Sequence, residues 1–558
     1  MINLDSLTIK AFLQENYDFF IGAKIQKVQQ PNRREIIFQL RNGSESRKFY
    51  ININPSFYHV CFMSKQNEVK RRIKIPKAAA MFCMLLRKYI DGSRIVEVKQ
   101  PNYERIIEFY FDVYDALNEK SRLCLSIELM GKHSNIILYN YDTNVIIGCA
   151  HNVGSEKSKD RELAGLLPYI YPPKQKKKDI LKTDFEKFYS IVSEDILDLE
   201  GSISDSFYYF SRPLVSQIYK ALMISDNPSK DDFSNFFNVL QSTAKLESVC
   251  PNIDNDFDEF SIYKNDVNIV CDSVNSMLDD YFSFHQTQKI ILNIKNKLRT
   301  IINNQIKKLS QIKEKQEVQL TQLDKANLYR KKGDVLMANL YKIESGLSKI
   351  ELDDYETGDL LHIELDSAKS PVDNANRYYK LYKKTKSAYE YSKAMIEETV
   401  AQLEYYKEQL FYVELASSIL ELEEIQAELG IDNNSNKQAK DSKETMLDEY
   451  TIGGYQIIVG KNSKQNDYLL SKVASSEDIW FHPLNMAGSH VVLKKNNPKE
   501  IIPDEILFEA AKIAKEYSSG KLASKVPIIY TLRKYVKKAT AKGLAFVTYK
   551  NETEILVD

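Results

Sequence analysis

Apolar and polar positions change their period several times along the chain, and those changes divide it. Over residues 4–171 a short helical start gives way to β-type runs at 35–40, 106–111, 123–130 and 135–139, separated by turns. Short runs of β-branched and aromatic residues bounded by turn formers predict strands. One helix interrupts them at 77–90, with Met81, Met84, Leu85 and Tyr89 on a shared face and Asp91-Gly92 as its stop. These elements predict an α+β domain over 1–178, closed by a linker at Pro168, Pro172, Pro173 and the following Lys174-Gln-Lys-Lys-Lys178.

Residues 179–281 read as short helices alternating with polar turns, Pro213 standing where a helix begins. Then Ile291, Ile294, Leu298, Ile302, Ile306, Leu309 and Ile312 recur at steps of three or four among Lys, Gln and Asn. That is one apolar seam on a long solvated helix. A second such stretch covers 374–429, and between the two lies 350–365, a pair of strand-like runs around Glu356-Thr-Gly-Asp359. The pattern predicts an antiparallel helical arm over 282–430 with a small β tip, up to roughly 60 Å long at 1.5 Å per residue. Polar residues 430–445 read as a second linker. A final α+β domain is expected over 446–558, with strands at 455–459, 477–481, 490–493, 528–532 and 544–549 and a helix at 503–517.

Length agrees with this multidomain α+β division, since 558 residues at roughly 150 per domain make about three or four units. A composition of 43% hydrophobic and 28% charged residues suits packed cores in a water-soluble chain. No run approaches the roughly 20 apolar residues that span a bilayer, and Met1-Ile2-Asn3-Leu4-Asp5 lacks the basic-then-apolar pattern of a secretory signal. A cytoplasmic protein with no membrane partner is expected. The six cysteines are scattered without a CxxC pair, which argues against a zinc site or a disulfide framework. No nucleophile elbow, P-loop, HExxH or dinucleotide fingerprint is present, so neither an enzyme nor a cofactor is expected.

Lysine plus arginine and aspartate plus glutamate both number 77, so only the distribution of charge can point to an anionic partner. Between Gly520 and Ala545 stand Lys521, Lys525, Arg533, Lys534, Lys537, Lys538 and Lys542 with no acidic residue, interleaved with Tyr530 and Tyr535. Cations without counter-charges repel one another, which favours a phosphate-binding surface over a merely solvated face. Lys70-Arg71-Arg72-Ile73-Lys74 and the 174–178 run are shorter versions, with a solvated loop equally open. In Asp478-Ile-Trp-Phe-His482, strand alternation puts Asp478, Trp480 and His482 on one face. Trp480 there either stacks on a base or fills the core. In Glu128-Leu-Met-Gly-Lys-His-Ser-Asn135, Gly131 lets the backbone bulge and redirect Lys132 and His133, a tight turn capped by Ser or Asn being the alternative. Glu104 and Arg105 are a charged pair at a strand start.

Several of these strings, taken in order, resemble the NFACT family. They are Gln29-Gln-Pro31, Phe82-Cys-Met-Leu-Leu-Arg-Lys88, Gly92-Ser-Arg-Ile95, Glu104-Arg-Ile-Ile107, Glu128-Leu-Met-Gly-Lys-His-Ser-Asn-Ile136, Asn374-Ala-Asn-Arg-Tyr-Tyr-Lys380, Val459-Gly-Lys-Asn462, Gln465-Asn-Asp467, Asp478-Ile-Trp-Phe-His482 and Gly488-Ser-His-Val491. The resemblance spans nearly the whole chain. It implies an NFACT-N α/β domain, a helix-hairpin-helix region, a coiled-coil arm and a carboxy-terminal NFACT-R domain. It also implies a ribosome-associated quality-control role: binding the obstructed large subunit (23S-type rRNA) with its peptidyl-tRNA, and recruiting tRNA, tRNA-Ala in the bacterial branch. A carboxy-terminal tail is then added without mRNA, the ribosome making the peptide bond. Together with the basic segment, the resemblance marks Glu104, Arg105, Glu128, Met130, Lys132 and His133 for tRNA, and Asp478, Trp480, His482, Ser489, His490, Arg533, Lys534, Lys537 and Lys538 for RNA or ribosome. Two positions depart from the family: Glu104 replaces its Asp, and Phe210-Ser-Arg-Pro213 stands in place of its Gly-x-Gly hairpin turn. Alternative readings are a fibronectin-binding surface adhesin and a generic RNA binder without tailing; a DNA glycosylase is opposed by Ile2-Asn3 where such enzymes carry Pro-Glu.

Overall fold

Asp5 caps the first helix by accepting a hydrogen bond from the Thr8 amide at 2.8 Å, and that helix, α1 (Ser6–Phe20), supplies the aromatic centre of the first core. The computed structural model describes residues 4–114, 118–156, 161–193, 198–223, 228–264, 269–355, 357–431, 447–538 and 547–558. Two units divide the chain, Met1–Lys289 and Ile290–Asp558.

In the first unit, β1 (Lys24–Asn32), β2 (Glu35–Asn42), β3 (Glu45–Asn52) and β4 (His59–Phe62) form a four-stranded antiparallel meander. After α2 (Lys65–Arg71) and α3 (Met81–Ile90), a second meander of five strands follows: β5 (Ile95–Lys99), β6 (Ile106–Tyr114), β7 (Lys120–Glu128), β8 (Asn135–Asn140) and β9 (Val145–Cys149). Helix α1 joins the sheets, since Phe20 lies 5.2 Å from Phe49 of β3 and 5.0 Å from Phe109 of β6, centroid to centroid. Helices α4 (Phe185–Val192), α5 (Leu199–Ser206), α6 (Arg212–Ala221) and α7 (Lys230–Lys245) come next, with Pro213 in the first turn of α6 as expected. A small sheet of β10 (Asn252–Ile253), β11 (Phe260–Ser261) and β12 (Ile269–Val270) completes the unit. One apolar core runs from Leu4 to Phe282 without interruption at 178.

In this unit one expectation is refined and one is corrected. The buried side of α3 is Phe82, Cys83, Leu86 and Ile90, while Met81 is 76% exposed and Met84 53%. A helix flanked by apolar residues on both sides offers two candidate faces, and period alone does not choose between them. Arg71, from the short basic run, is not a solvated or phosphate-facing cation: it is buried against Asp279, with N–O 2.5 Å.

Helix α8 (Val274–Leu320) begins in the first unit and continues into the second, followed by α9 (Leu323–Ala338), the hairpin β13 (Lys349–Asp353) and β14 (Leu360–Glu364), α10 (Pro371–Leu415) and α11 (Ile419–Glu428). Ile291, Leu298 and Ile302 of the predicted seam pack with Tyr412 and Val413 of α10 and with Ile419, Leu422 and Ile425 of α11. Arg299 pairs with Glu414 across the two long helices. The expected linker at 430–445 falls almost wholly outside the described residues. Beyond it, β15 (Asp448–Ile452), β16 (Tyr455–Val459), α12 (Ser463–Tyr468), β17 (Ile479–Pro483), β18 (Val491–Leu493), α13 (Asp504–Glu516), β19 (Val526–Leu532), β20 (Lys537–Lys538), β21 (Val547–Thr548) and β22 (Thr553–Val557) follow in chain order. Six of these strands make an antiparallel sheet in the order β15-β16-β18-β17-β19-β22, and β20 pairs with β21. Ile479 and Phe481 face α13, and Trp480 faces the π-helical turn Leu469–Val473, so both sides of β17 are covered.

All six cysteines are free thiols, four of them buried. Among the described residues no helix is long and apolar enough to cross a membrane.

Candidate nucleic-acid interface

Register in the second meander gathers the amino-terminal candidates. Ile106 pairs with Glu128 and Glu128 with Asn135, so the residues before β6 and the β7–β8 turn emerge at one edge of the sheet. The Leu129 amide donates to the Arg105 carbonyl at 2.8 Å, locking the two segments together. The turn itself is a 3-10 segment, Gly131–His133, opened by Gly131 at φ 61° and closed where the Ser134 hydroxyl accepts from the Met130 amide at 2.8 Å. Both sequence readings hold together: the Ser caps the turn, and the turn exposes Lys132 and His133.

Glu104 and Arg105 follow a tight reversal in which Asn102 and Tyr103 take φ of 51° and 55°. For a tyrosine this left-handed backbone costs of order 1–3 kcal/mol. It is held by Gln100, whose side chain donates to the carbonyls of Ser6 (2.7 Å) and Glu104 (2.9 Å), and by the Tyr103 ring packed 4.7 Å from Tyr209. The Glu104 carboxylate accepts from Gln175 at 2.8 Å, and Arg105 donates to the Tyr58 hydroxyl at 3.2 Å. Among the described residues no carboxylate forms an ion pair with Arg105, so its fork of donors keeps capacity for a partner.

These segments line a cleft of about 1510 Å³ with Met130, Lys132, His133, Arg33 and Arg34; Glu104, Arg105 and Gln175 also line an adjoining hollow of about 400 Å³. Several lining residues had no signal assigned in the sequence, Arg33, Arg34 and His151 among them. Arg33 and Arg34 sit on the β1–β2 turn just after Gln29-Gln-Pro31, where an Arg pair at a turn was a readable signal. His151 is tied to Asn135, which accepts from its amide at 3.1 Å, and burial, with Arg34 and Arg33, holds its imidazole below the ordinary histidine range.

Glu128 is placed differently from its neighbours. Its side chain is buried, Arg161 donates to it through both terminal nitrogens (Nη1 at 2.8 Å), and the Tyr169 hydroxyl donates at 3.0 Å. A carboxylate so engaged shapes the turn from beneath and does not face the cleft.

In the second unit most carboxy-terminal candidates are interior. Asp478 accepts from the Ser475 and Lys495 amides (2.7 and 3.0 Å) and pairs with Lys494 at 2.9 Å, a structural cap. Trp480 is 0% exposed, which corrects the reading of a stacking platform: the face that alternation assigned to it is roofed by Leu469 and Leu470. Burial pushes His482 down to about 4 and holds His490 well below the ordinary histidine range, so both rings are neutral. Ser489 is buried beside them. The basic segment is also less bare than its sequence: Lys534 pairs with Glu477 at 3.1 Å, Lys538 with Asp467 at 2.5 Å, and Lys521 with Glu516. Arg533 donates to backbone carbonyls, Lys537 is exposed, and Lys542 lies outside the described residues.

Residues 5–445 match the family described as NFACT N-terminal and middle domains. The chain belongs to the NFACT family. Residues 446–548 match the NFACT protein RNA binding domain. This NFACT chain is 30% identical over 544 residues to the Rqc2 homolog RqcH of Streptococcus suis, covering 96% of this chain and 94% of that one. It is 29% identical over 576 residues to the Rqc2 homolog RqcH of Bacillus subtilis, covering 100% and 98%. The amino-terminal structure of the fibronectin/fibrinogen-binding protein of Streptococcus suis covers 50% of the NFACT chain at 26% identity, with a TM-score of 0.42.

Proposed function

We propose that this protein is a ribosome-associated quality-control factor. In this reading it binds the large subunit, through 23S-type rRNA, when peptidyl-tRNA obstructs it, and recruits tRNA, tRNA-Ala, so that stalled chains receive a tail without mRNA. It acts in the cytosol, and the ribosome, not the protein, makes the peptide bond. The carboxy-terminal domain and the long helices α8 and α10, read as a coiled-coil arm, supply further contact with the subunit.

The observation that carries this reading is the cleft of the first unit. At about 1510 Å³ it exceeds the roughly 300–1,000 Å³ of small-molecule pockets. Its Arg33, Arg34, Arg105 and Lys132 are suited to a polyanion, while the Glu104 carboxylate and the Met130 side chain offer an acceptor and an apolar contact for bases. Glu104 keeps the charge of the family's acid, which favours retention of tailing.

Arg105→Ala tests it. The substitution is expected to weaken tRNA binding by about 1–3 kcal/mol if the guanidinium reads a base edge, or to lower the salt slope by about one if it meets phosphate. Melting should barely move, because a half-exposed Arg donating to a tyrosine hydroxyl contributes at most about 1 kcal/mol. Unchanged affinity at both low and high salt would remove Arg105, and with it the cleft reading, from the account.

A further inference from the structure

Trp480 Nε1, Ser489 Oγ and His490 Nδ1 are buried without a hydrogen-bond partner among the described residues. Buried polar atoms are nearly always paired, so three together in one region call for an explanation. One of them borders a void: His490 lines a cavity of about 160 Å³ between the π-helical turn and the paired strands β20 and β21.

The lining is chemically mixed. Leu470, Val536 and Val547 give it aliphatic walls. Arg533 is fixed in plane, Nε donating to the Leu470 carbonyl at 2.8 Å and Nη1 to the Val536 carbonyl at 3.0 Å, which leaves Nη2 as a donor for a ligand. Asp467, also in the lining, has one carboxylate oxygen 2.5 Å from Lys538, which takes one of the roughly four lone-pair sites of the carboxylate and leaves both oxygens able to accept. His490 adds an unpartnered ring nitrogen on a neutral imidazole.

We infer that this cavity receives a single unstacked guanine base of an RNA strand, Asp467 accepting from its Watson–Crick N–H groups and Arg533 and His490 meeting its acceptor edge. A phosphate is disfavoured because Lys538 is already neutralised and the Asp467 carboxylate repels an anion. The volume lies below the roughly 300 Å³ at which drug-sized pockets begin, which admits one ring system and keeps ribose and phosphate outside. Guanine is selected over adenine because N1–H and N2–H₂ are adjacent donors matched to a carboxylate, while O6 and N7 are the acceptors that Arg favours. Splayed-out bases are the usual targets of sequence-reading RNA modules. The inference rests on the RNA-binding reading of this domain.

Trp480 is the only tryptophan of the chain and its ring lies 5.5 Å from that of His490, so its fluorescence reports on the site. Titrating the full-length protein with GMP should give a saturable change, with AMP, CMP and UMP at least about tenfold weaker, the discrimination of one good bidentate pair. Asp467→Asn should weaken GMP by a similar factor. Ser471→Tyr, at an exposed position on the cavity mouth, should abolish the signal while melting and tRNA affinity stay at wild-type values. Equal binding of GMP and AMP, GMP binding that survives both substitutions, or no saturable signal with any nucleotide would overturn the proposal. Because tRNA affinity of wild type and Arg105→Ala is measured in parallel, failure at this cavity is separable from failure of the cleft reading.

Discussion

Replacing Asp279 by Ala is expected to destabilise the first unit by about 3–5 kcal/mol, the cost of leaving one member of a buried ion pair without its partner. The Arg71 and Asp279 side chains are 1% and 3% exposed, and their atoms approach to 2.5 Å. Asp279 also accepts from the Ser64 amide and the Asn67 side chain, both at 2.9 Å, and Arg71 donates to Gln286 at 2.8 Å. The pair therefore fastens the start of α8 to β4 and α2. The double replacement Arg71→Met with Asp279→Leu should recover much of the loss, because no charge is then stranded. Urea melts of the wild type, both single variants and the double variant decide it; equal melts for wild type and Asp279→Ala would refute the pairing.

The same pair sets an acid limit. Burial favours the neutral Asp279 carboxyl, but the Arg71 guanidinium and the Ser64 and Asn67 hydrogen bonds outweigh it and hold the group below its usual 3.8. Its contribution is thus complete above the unfolded value near 3.8 and is lost as pH falls through the lower folded value. Melts of wild type and Asp279→Asn should converge in that window; parallel curves there would show that Asp279 does not titrate as described.

The second large effect is expected at Arg161, which supports the cleft without being one of its predicted ligands. Arg161→Ala strands the Glu128 carboxylate, whose side chain is 0% exposed, and should cost about 3–5 kcal/mol of stability. Glu128 ends β7, one residue before the Leu129 amide that anchors Arg105 and two before Met130. tRNA affinity should therefore fall even at temperatures where the variant is folded. Arg161→Lys restores the charge but not the two-pronged contact and should lie between wild type and Ala in both measurements. Lys132→Ala is the control, weakening tRNA binding without moving the melt. If folded Arg161→Ala binds tRNA normally, the ion pair serves stability alone.

What the sequence made legible follows from the range of the forces involved. Local patterns marked β2, β6, β7, β8, the β13–β14 hairpin, α13 and the exposed Lys132 and His133, because turn chemistry and periodicity act over a few residues. Partners brought by tertiary structure were invisible: Asp279 for Arg71, Arg161 for Glu128, Glu477 for Lys534, Asp467 for Lys538. A basic run can be counted in a window, but its neutralisation cannot. Trp480 shows the same limit, since alternation gave its face correctly and could not say that the face was roofed.

Arg71 and Asp279 stand 208 residues apart. At the usual pace of translation, about 5–20 residues per second, roughly 10–40 s separate the emergence of the two. For that interval Arg71 has no Asp279 to pair with, so this latch of the first unit can form only after the opening turns of α8 have left the exit tunnel. A fragment ending near 178 lacks Asp279 and with it this latch, whereas one ending at Lys289, the last residue of the first unit, carries both partners.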